Sequence, residues 1–187
     1  MRLAENGNIQ EKYVELYIVA MESVIAMLIN IATTLTIGWM LGMWWYSIVL
    51  FAAFIPLRSY AGGYHARGYI SCYFESCTLL AAMLLLMKYI IQREKPISAL
   101  WLVFVVAVTV IFLLAPLADE NKPISEKERI VFKRRTRVLL TLEIIITVLL
   151  AALHIDYGYA VMMAVILSAL LLLLHKIRER VILNRKK

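Results

Sequence analysis

Residues Val24–Leu57 read VIAMLINIATTLTIGWMLGMWWYSIVLFAAFIPL, 34 positions without a single charge. As one straight helix this run would be about 51 Å long, against a bilayer hydrocarbon core of about 30 Å. Gly38 and Gly42, near its middle, predict a break into two short spans over 20–38 and 42–57. Further apolar runs lie at 73–91, 97–117, 138–154 and 158–175, the last two parted by the polar stretch His154-Ile-Asp156-Tyr-Gly158. The expected fold is all-α: a polytopic integral membrane helical bundle of about six transmembrane helices, forming one domain over 1–187.

Composition agrees with this reading. Of 187 residues, 63% are apolar and 18% charged, more apolar surface than one water-soluble globule can hide, which excludes a soluble enzyme and a disordered tail. The net charge of +7 does not point to nucleic acid, because the basic residues cluster where apolar runs end. With alternate connections assigned to alternate sides, 17 of the 20 Lys and Arg fall on one side and only Lys88, Arg93 and Lys95 on the other. The positive-inside rule then puts both termini, the 58–71 segment and the basic loop 119–137 in the cytoplasm. Residues 1–20 read as an interfacial amphipathic helix, and the apolar run after them is too long for a cleaved signal peptide. The two cysteines, Cys72 and Cys77, are five residues apart and suit reduced thiols rather than a disulfide framework.

Chemistry is expected in Arg58-Ser-Tyr-Ala-Gly-Gly63-Tyr-His65-Ala-Arg67-Gly68-Tyr-Ile-Ser-Cys72, which holds three of the seven glycines at the cytoplasmic mouth of the bundle. Irregular backbone at membrane depth needs protein or a wet cavity around it, so this segment predicts a lined cavity. A thiol acts as a nucleophile in its thiolate form, which a neighbouring imidazole favours, so Cys72 and His65 form a candidate pair. On a straight helix the two would be displaced about 10.5 Å along the axis, beyond hydrogen-bond reach. The pair therefore requires the chain to fold back between them, and Gly68 is the residue best able to allow it. Arg58 and Arg67 suit either of two tasks, lowering the thiol pKa or anchoring helix ends to headgroups.

The spacing of Arg58, Gly63, His65 and Cys72, together with the loop Ala115-Pro-Leu-Ala-Asp119-Glu-Asn-Lys122-Pro123 and the basic stretch after it, resembles the accessory gene regulator protein B (AgrB) family. These are membrane cysteine endopeptidases that process the precursor of a quorum-sensing peptide. The resemblance implies Cys72 as nucleophile, His65 as general base, and Arg58 and Gly63 in support. It also implies cleavage of an AgrD-like precursor peptide on its C-terminal side, through a Cys72 thioester that an internal nucleophile of the peptide displaces to close a ring. That chemistry needs neither a metal nor an organic cofactor. If the precursor carries the acidic tail the resemblance implies, Lys133, Arg134, Arg135 and Arg137 are candidates to capture it, although attraction to anionic membrane lipid accounts for the same charges.

Other candidates weigh less. Cys77 lies about 140° round a helix from Cys72 and suits core packing. Glu75 is one turn from Cys72 and is a candidate to orient His65 or grip substrate. A metal site from His65, Cys72, Glu75 and Cys77 fits none of the usual zinc spacings. The competing function is a noncatalytic small transporter or export subunit with Glu22, Glu75 and Glu143 lining a polar path; the absence of an evident inverted repeat counts against it. A bundle this small also allows a homodimer.

Overall fold

The structure, a computed structural model, describes residues 14–62, 69–92, 98–117 and 125–185, with the side chains of 14–20, 22–23, 69–72 and 182–185 left undescribed. These residues form six helices: α1 (Val14–Met40), α2 (Trp44–Ala61), α3 (Tyr69–Gln92), α4 (Ser98–Leu114), α5 (Glu126–Ala152) and α6 (Tyr157–Arg185). Among the described residues there is no strand, and the all-α expectation holds. Two helices contain stretches long and apolar enough to cross a membrane, Tyr73–Gln92 and Tyr157–Val181; Val24–Met40 and Ser98–Leu114 are shorter apolar helices.

The long uncharged run breaks where its glycines predict, at Leu41–Met43. A helix end leaves carbonyls without intrahelical donors, and this one finds them nearby. The Met43 N–H donates to the Gly38 carbonyl at 2.7 Å, and Lys88 Nζ, reaching across from α3, donates to the Leu41 carbonyl at 2.7 Å. At Gly38 the two helices come so close that a Cβ would stand 2.7 Å from Ser47 Cβ, and Ser47 is fully buried. Glycine here is a packing requirement as well as a breaker.

Helix α6 is the core. It packs against α2, α3, α4 and α5, and it is buried on every side from Ala160 to Val165. Helix α1 lies outside this group against α2 and α3. Helix α4 shows what the remaining surface is like: Leu100, Phe104, Ala107 and Ile111 form one buried stripe at helical spacing, while Leu102, Val105, Val106 and Leu113 stay exposed, Leu113 at 72%. Contiguous apolar faces of this kind suit lipid rather than water.

The contacts sort into two ends. Tyr46 and Tyr157 pack as a tilted pair, ring centroids 4.8 Å apart, beside the α1–α2 turn, on the side where Lys88 reaches Leu41. At the opposite end of α2, Tyr60 meets Phe132 of α5, and Arg137 lies over the Phe112 ring at 4.5 Å.

Two boundaries differ from the sequence reading. The basic stretch assigned to a loop over 119–137 is helical from Glu126 onward, and α5 carries it without interruption into the apolar residues. A capping box starts it: the Ser125 side chain accepts from the Glu128 N–H at 3.3 Å, while the Ser125 N–H donates to the Glu128 carboxylate at 2.9 Å. No Gly or Pro follows to break the helix before Ala152. At the other terminus, residues 14–20, assigned to an interfacial helix over 1–20, belong to the same helix as the first apolar run; residues 1–13 lie outside the described residues.

The α1–α2 corner gives a stability test. Gly38→Ala is expected to cost about 1–3 kcal/mol by overpacking, read as a lowered thermal-unfolding midpoint in detergent. Adding Ser47→Gly should recover part of the loss. An unchanged midpoint in Gly38→Ala would contradict the close approach.

Candidate functional site

The 58–72 segment is shorter between helices than expected, since 58–61 form the last turn of α2 and 69–72 the first turn of α3, and the chain leaves α2 through a fixed end. The Gly62 N–H donates to the Arg58 carbonyl at 3.2 Å, and the Arg58 guanidinium returns to hydrogen-bond the Gly62 carbonyl. Gly62 has φ 72° and ψ −152°, a conformation essentially reserved for glycine. Here the chain meets the segment that follows α4: the Leu117 N–H donates to the Ala61 carbonyl at 3.1 Å, and Gly62 and Leu117 form an isolated parallel bridge. Ala61 and Leu57, on the last turns of α2, are buried, so this end is anchored in the core.

The basic face of α5 stands beside it. Arg135 Nη1 donates to the Tyr60 hydroxyl at 3.1 Å, with the guanidinium 5.2 Å from the centroid of the Tyr60 ring, and Phe132 meets that ring edge-on at 5.7 Å. A cation over an aromatic face is a favourable contact in its own right. Between Tyr60 and α5 runs an open groove of about 560 Å³, lined by Ile130, Val131, Arg134, Arg135 and Val138. Lys133, Arg134, Arg135 and Arg137 are all exposed, and so is every residue from Ser125 to Val131. The first turns of α5 therefore stand clear of the bundle and present their charges next to the end of α2.

Gly63, His65, Arg67 and Gly68 lie outside the described residues. Cys72 lies in the first described turn of α3, and its side chain is outside the description. The structure thus fixes both flanks of the expected pair, Gly62 on one side and α3 from Tyr69 on the other. Sequence reasoning missed three residues here: Tyr60, Gly62 and Leu117. A Gly-Gly pair is visible at 62–63, but the partner that makes Gly62 special lies 55 positions away.

Residues 1–174 match the family described as Accessory gene regulator B. The chain belongs to that family. It is 29% identical over 140 residues to Accessory gene regulator protein B of Staphylococcus aureus (strain MW2), an alignment covering 74% of this chain and 71% of that protein. No solved structure gives a significant match. Membership ties this AgrB homologue to the accessory gene regulator quorum-sensing system and to the processing of its peptide signal.

The remaining candidates now have places. The Cys77 thiol is half-buried and contacts Asn30 Oδ1 of α1 at 3.7 Å, while one turn earlier on α3 the Tyr73 hydroxyl pairs with Thr33 at 2.8 Å, so this face of α3 serves helix packing. Glu75 is exposed on α3. Glu143 is 6% exposed, on the face of α5 that also buries Thr136, Leu140 and Thr147. Glu22, the third carboxylate of the transporter reading, lies in α1 with its side chain outside the description, so only the exposed Glu75 and the enclosed Glu143 are placed. Among the described residues no group of three His, Cys, Asp or Glu side chains is placed to hold a metal ion.

Glu143 Oε2 is buried without a hydrogen-bond partner. Replacing such a group by an apolar one of similar volume is commonly neutral or stabilising. Glu143→Leu is therefore expected to hold or raise the unfolding midpoint in detergent and to leave signal-peptide processing intact. Loss of processing at an unchanged midpoint would instead give this carboxyl group a part in the reaction, and loss of peptide export alone would favour a transport path through it.

Proposed function

We propose that this AgrB-family chain is a membrane-embedded cysteine endopeptidase that cleaves a quorum-sensing precursor peptide on its C-terminal side and promotes its cyclisation. It is a cell-membrane protein with six spans, and both termini and the 58–72 segment face the cytoplasm. Family membership supports the reading, and the observation that carries it is the anchored end of α2. That end launches the Gly63–His65–Cys72 segment from a backbone junction beside an exposed row of cations. The opposed ends of the bundle support the topology, since the basic turns of α5 share one end with Tyr60 and Gly62, away from Lys88.

The chemistry follows from the residue types. His65 takes the Cys72 thiol proton, and the thiolate attacks the scissile carbonyl carbon of the precursor. As the C–N bond breaks, the imidazolium returns the proton to the departing amine, leaving an acyl thioester on Cys72. A nucleophile within the same peptide then attacks the thioester, closing the ring and releasing the Cys72 thiol. The activated acyl group passes to the peptide rather than to water only where the site limits water access, which a membrane-flanked segment favours. Arg58 supports the site through the backbone, by holding the Gly62 carbonyl. Gly63 supports it as a chain neighbour of that junction, and Glu75 remains a candidate to orient His65.

Lys133, Arg134, Arg135 and Arg137 serve in this reading to gather an acidic tail of an AgrD-like precursor. Exposed cations contribute mainly to encounter and to a salt-sensitive affinity.

Two experiments test the proposal. With the precursor co-expressed and membrane levels matched, Cys72→Ala and His65→Ala should each abolish processing while Cys77→Ala retains it; processing indifferent to Cys72 would reject the peptidase. Arg134→Gln with Arg135→Gln should raise the KM for precursor about tenfold at low ionic strength, and the difference should shrink in high salt. An unchanged KM would remove the tail-binding role.

A further inference from the structure

Three features of the α2 end meet at one residue that neither the family resemblance nor the proposed mechanism assigns. Gly62 has a backbone conformation essentially closed to residues with a side chain, at φ 72° and ψ −152°. Its Cα faces backbone rather than an adaptable side chain: a Cβ built there would collide with the Leu117 carbonyl oxygen and stand 3.2 Å from the Leu117 carbonyl carbon and 3.4 Å from its nitrogen. Its own carbonyl accepts the Arg58 guanidinium. A flexible neighbour would yield to a methyl group, but Leu117 is itself held, because its N–H is bonded to the Ala61 carbonyl at 3.1 Å.

We propose that Gly62 is a positioning residue for the processing reaction, its backbone junction with Leu117 and Arg58 setting the direction in which the chain departs α2 toward His65, three residues on. The proposal rests on the peptidase reading above. Two constraints act on one short length of chain: the Leu117 bridge fixes the last peptide of α2, and Arg58 fixes the Gly62 carbonyl. The segment that carries the general base therefore starts from a defined point and a defined orientation. Displacements of about 1 Å at a catalytic group can cost on the order of a hundredfold in rate. A side chain at 62 must either push the Leu117 backbone away or rotate out of the junction, and both redirect the chain ahead of His65. The role belongs to Gly62 and to the Leu117 backbone, so the Leu117 side chain is replaceable.

The test uses the full-length chain in proteoliposomes with a synthetic precursor, in a Cys77→Ala background that leaves Cys72 as the sole thiol. Gly62→Ala is expected to lower kcat, counted per folded molecule, at least thirtyfold with KM within about twofold, alongside a lowered melting midpoint from the collision with the Leu117 backbone. Leu117→Ala should stay within about threefold of the parent in both constants. The rate of Cys72 alkylation as a function of pH supplies a readout that a merely structural role would not move. In Gly62→Ala this profile should shift toward that of His65→Ala, because the thiol loses its aligned base. Should Gly62→Ala fail to accumulate, Leu117→Pro removes the N–H that Ala61 accepts while leaving residue 62 intact, and is expected to give the same kcat loss and the same shifted profile. A kcat within threefold of the parent, or an alkylation profile unchanged in both variants, would overturn the proposal while leaving the peptidase reading in place. Processing that survives Cys72→Ala would overturn that reading, and the positioning role with it.

Discussion

One backbone hydrogen bond, from the Leu117 N–H to the Ala61 carbonyl, ties the first half of the chain to the second at the point where the candidate chemistry begins. Most of the molecule is held by nondirectional apolar packing, which keeps helices together but aims nothing. The Ala61–Leu117 bond and the Gly62 bridge beside it are directional. The anchorage of α2 makes them effective: Leu50, Leu57 and Ala61 are buried in the core, and α2 packs closely on α6. A rigid helix delivers its last peptide to a fixed place, and the segment after α4 clasps it there.

The rest of the architecture follows from the solvent. Helix α6 takes the central position, and its Ala160–Val165 stretch is enclosed on every side. Helix α4 turns one stripe inward and keeps an apolar face outward, with Phe104 and Ile111 inside and Leu102 and Leu113 outside, a surface that suits lipid rather than water. Polar contacts then concentrate at the two ends. Lys88 satisfies the α1–α2 turn at one, and Arg58, Arg135 and Tyr60 crowd the other. The α5 helix joins both regimes, its capped and charged first turns standing free and its later turns lying in the bundle.

Much of this was legible in the sequence. The all-helical class, the break between Gly38 and Trp44 and the turn at His154–Asp156 all follow from hydropathy and breaker residues, which act locally. The start of α5 was legible too and was misread. Ser125-Glu-Lys-Glu128 is a capping-box pattern, but the charge-rich stretch around it looks like loop when hydropathy alone is followed. The junction at Gly62 was not legible, because its meaning depends on Leu117, a distant partner recruited by tertiary packing. The sequence left Arg58 with two tasks, and the structure adds a third, a hydrogen bond to the backbone of its own helix end. His65 and Cys72 were singled out by type, spacing and family resemblance, and what the structure adds is the frame on either side of them.

The central claim is that Cys72 carries the acyl group of the cleaved precursor. The most direct measurement is mass spectrometry of the chain, acid-quenched within the first turnover after mixing with synthetic precursor in liposomes. The account predicts a mass increase equal to the N-terminal cleavage fragment less one water, confined to the peptide containing Cys72 and released by hydroxylamine. Precursor cleaved at full rate with Cys72 unmodified at every quench time, and with no adduct trapped when the peptide's internal nucleophile is removed, would contradict it.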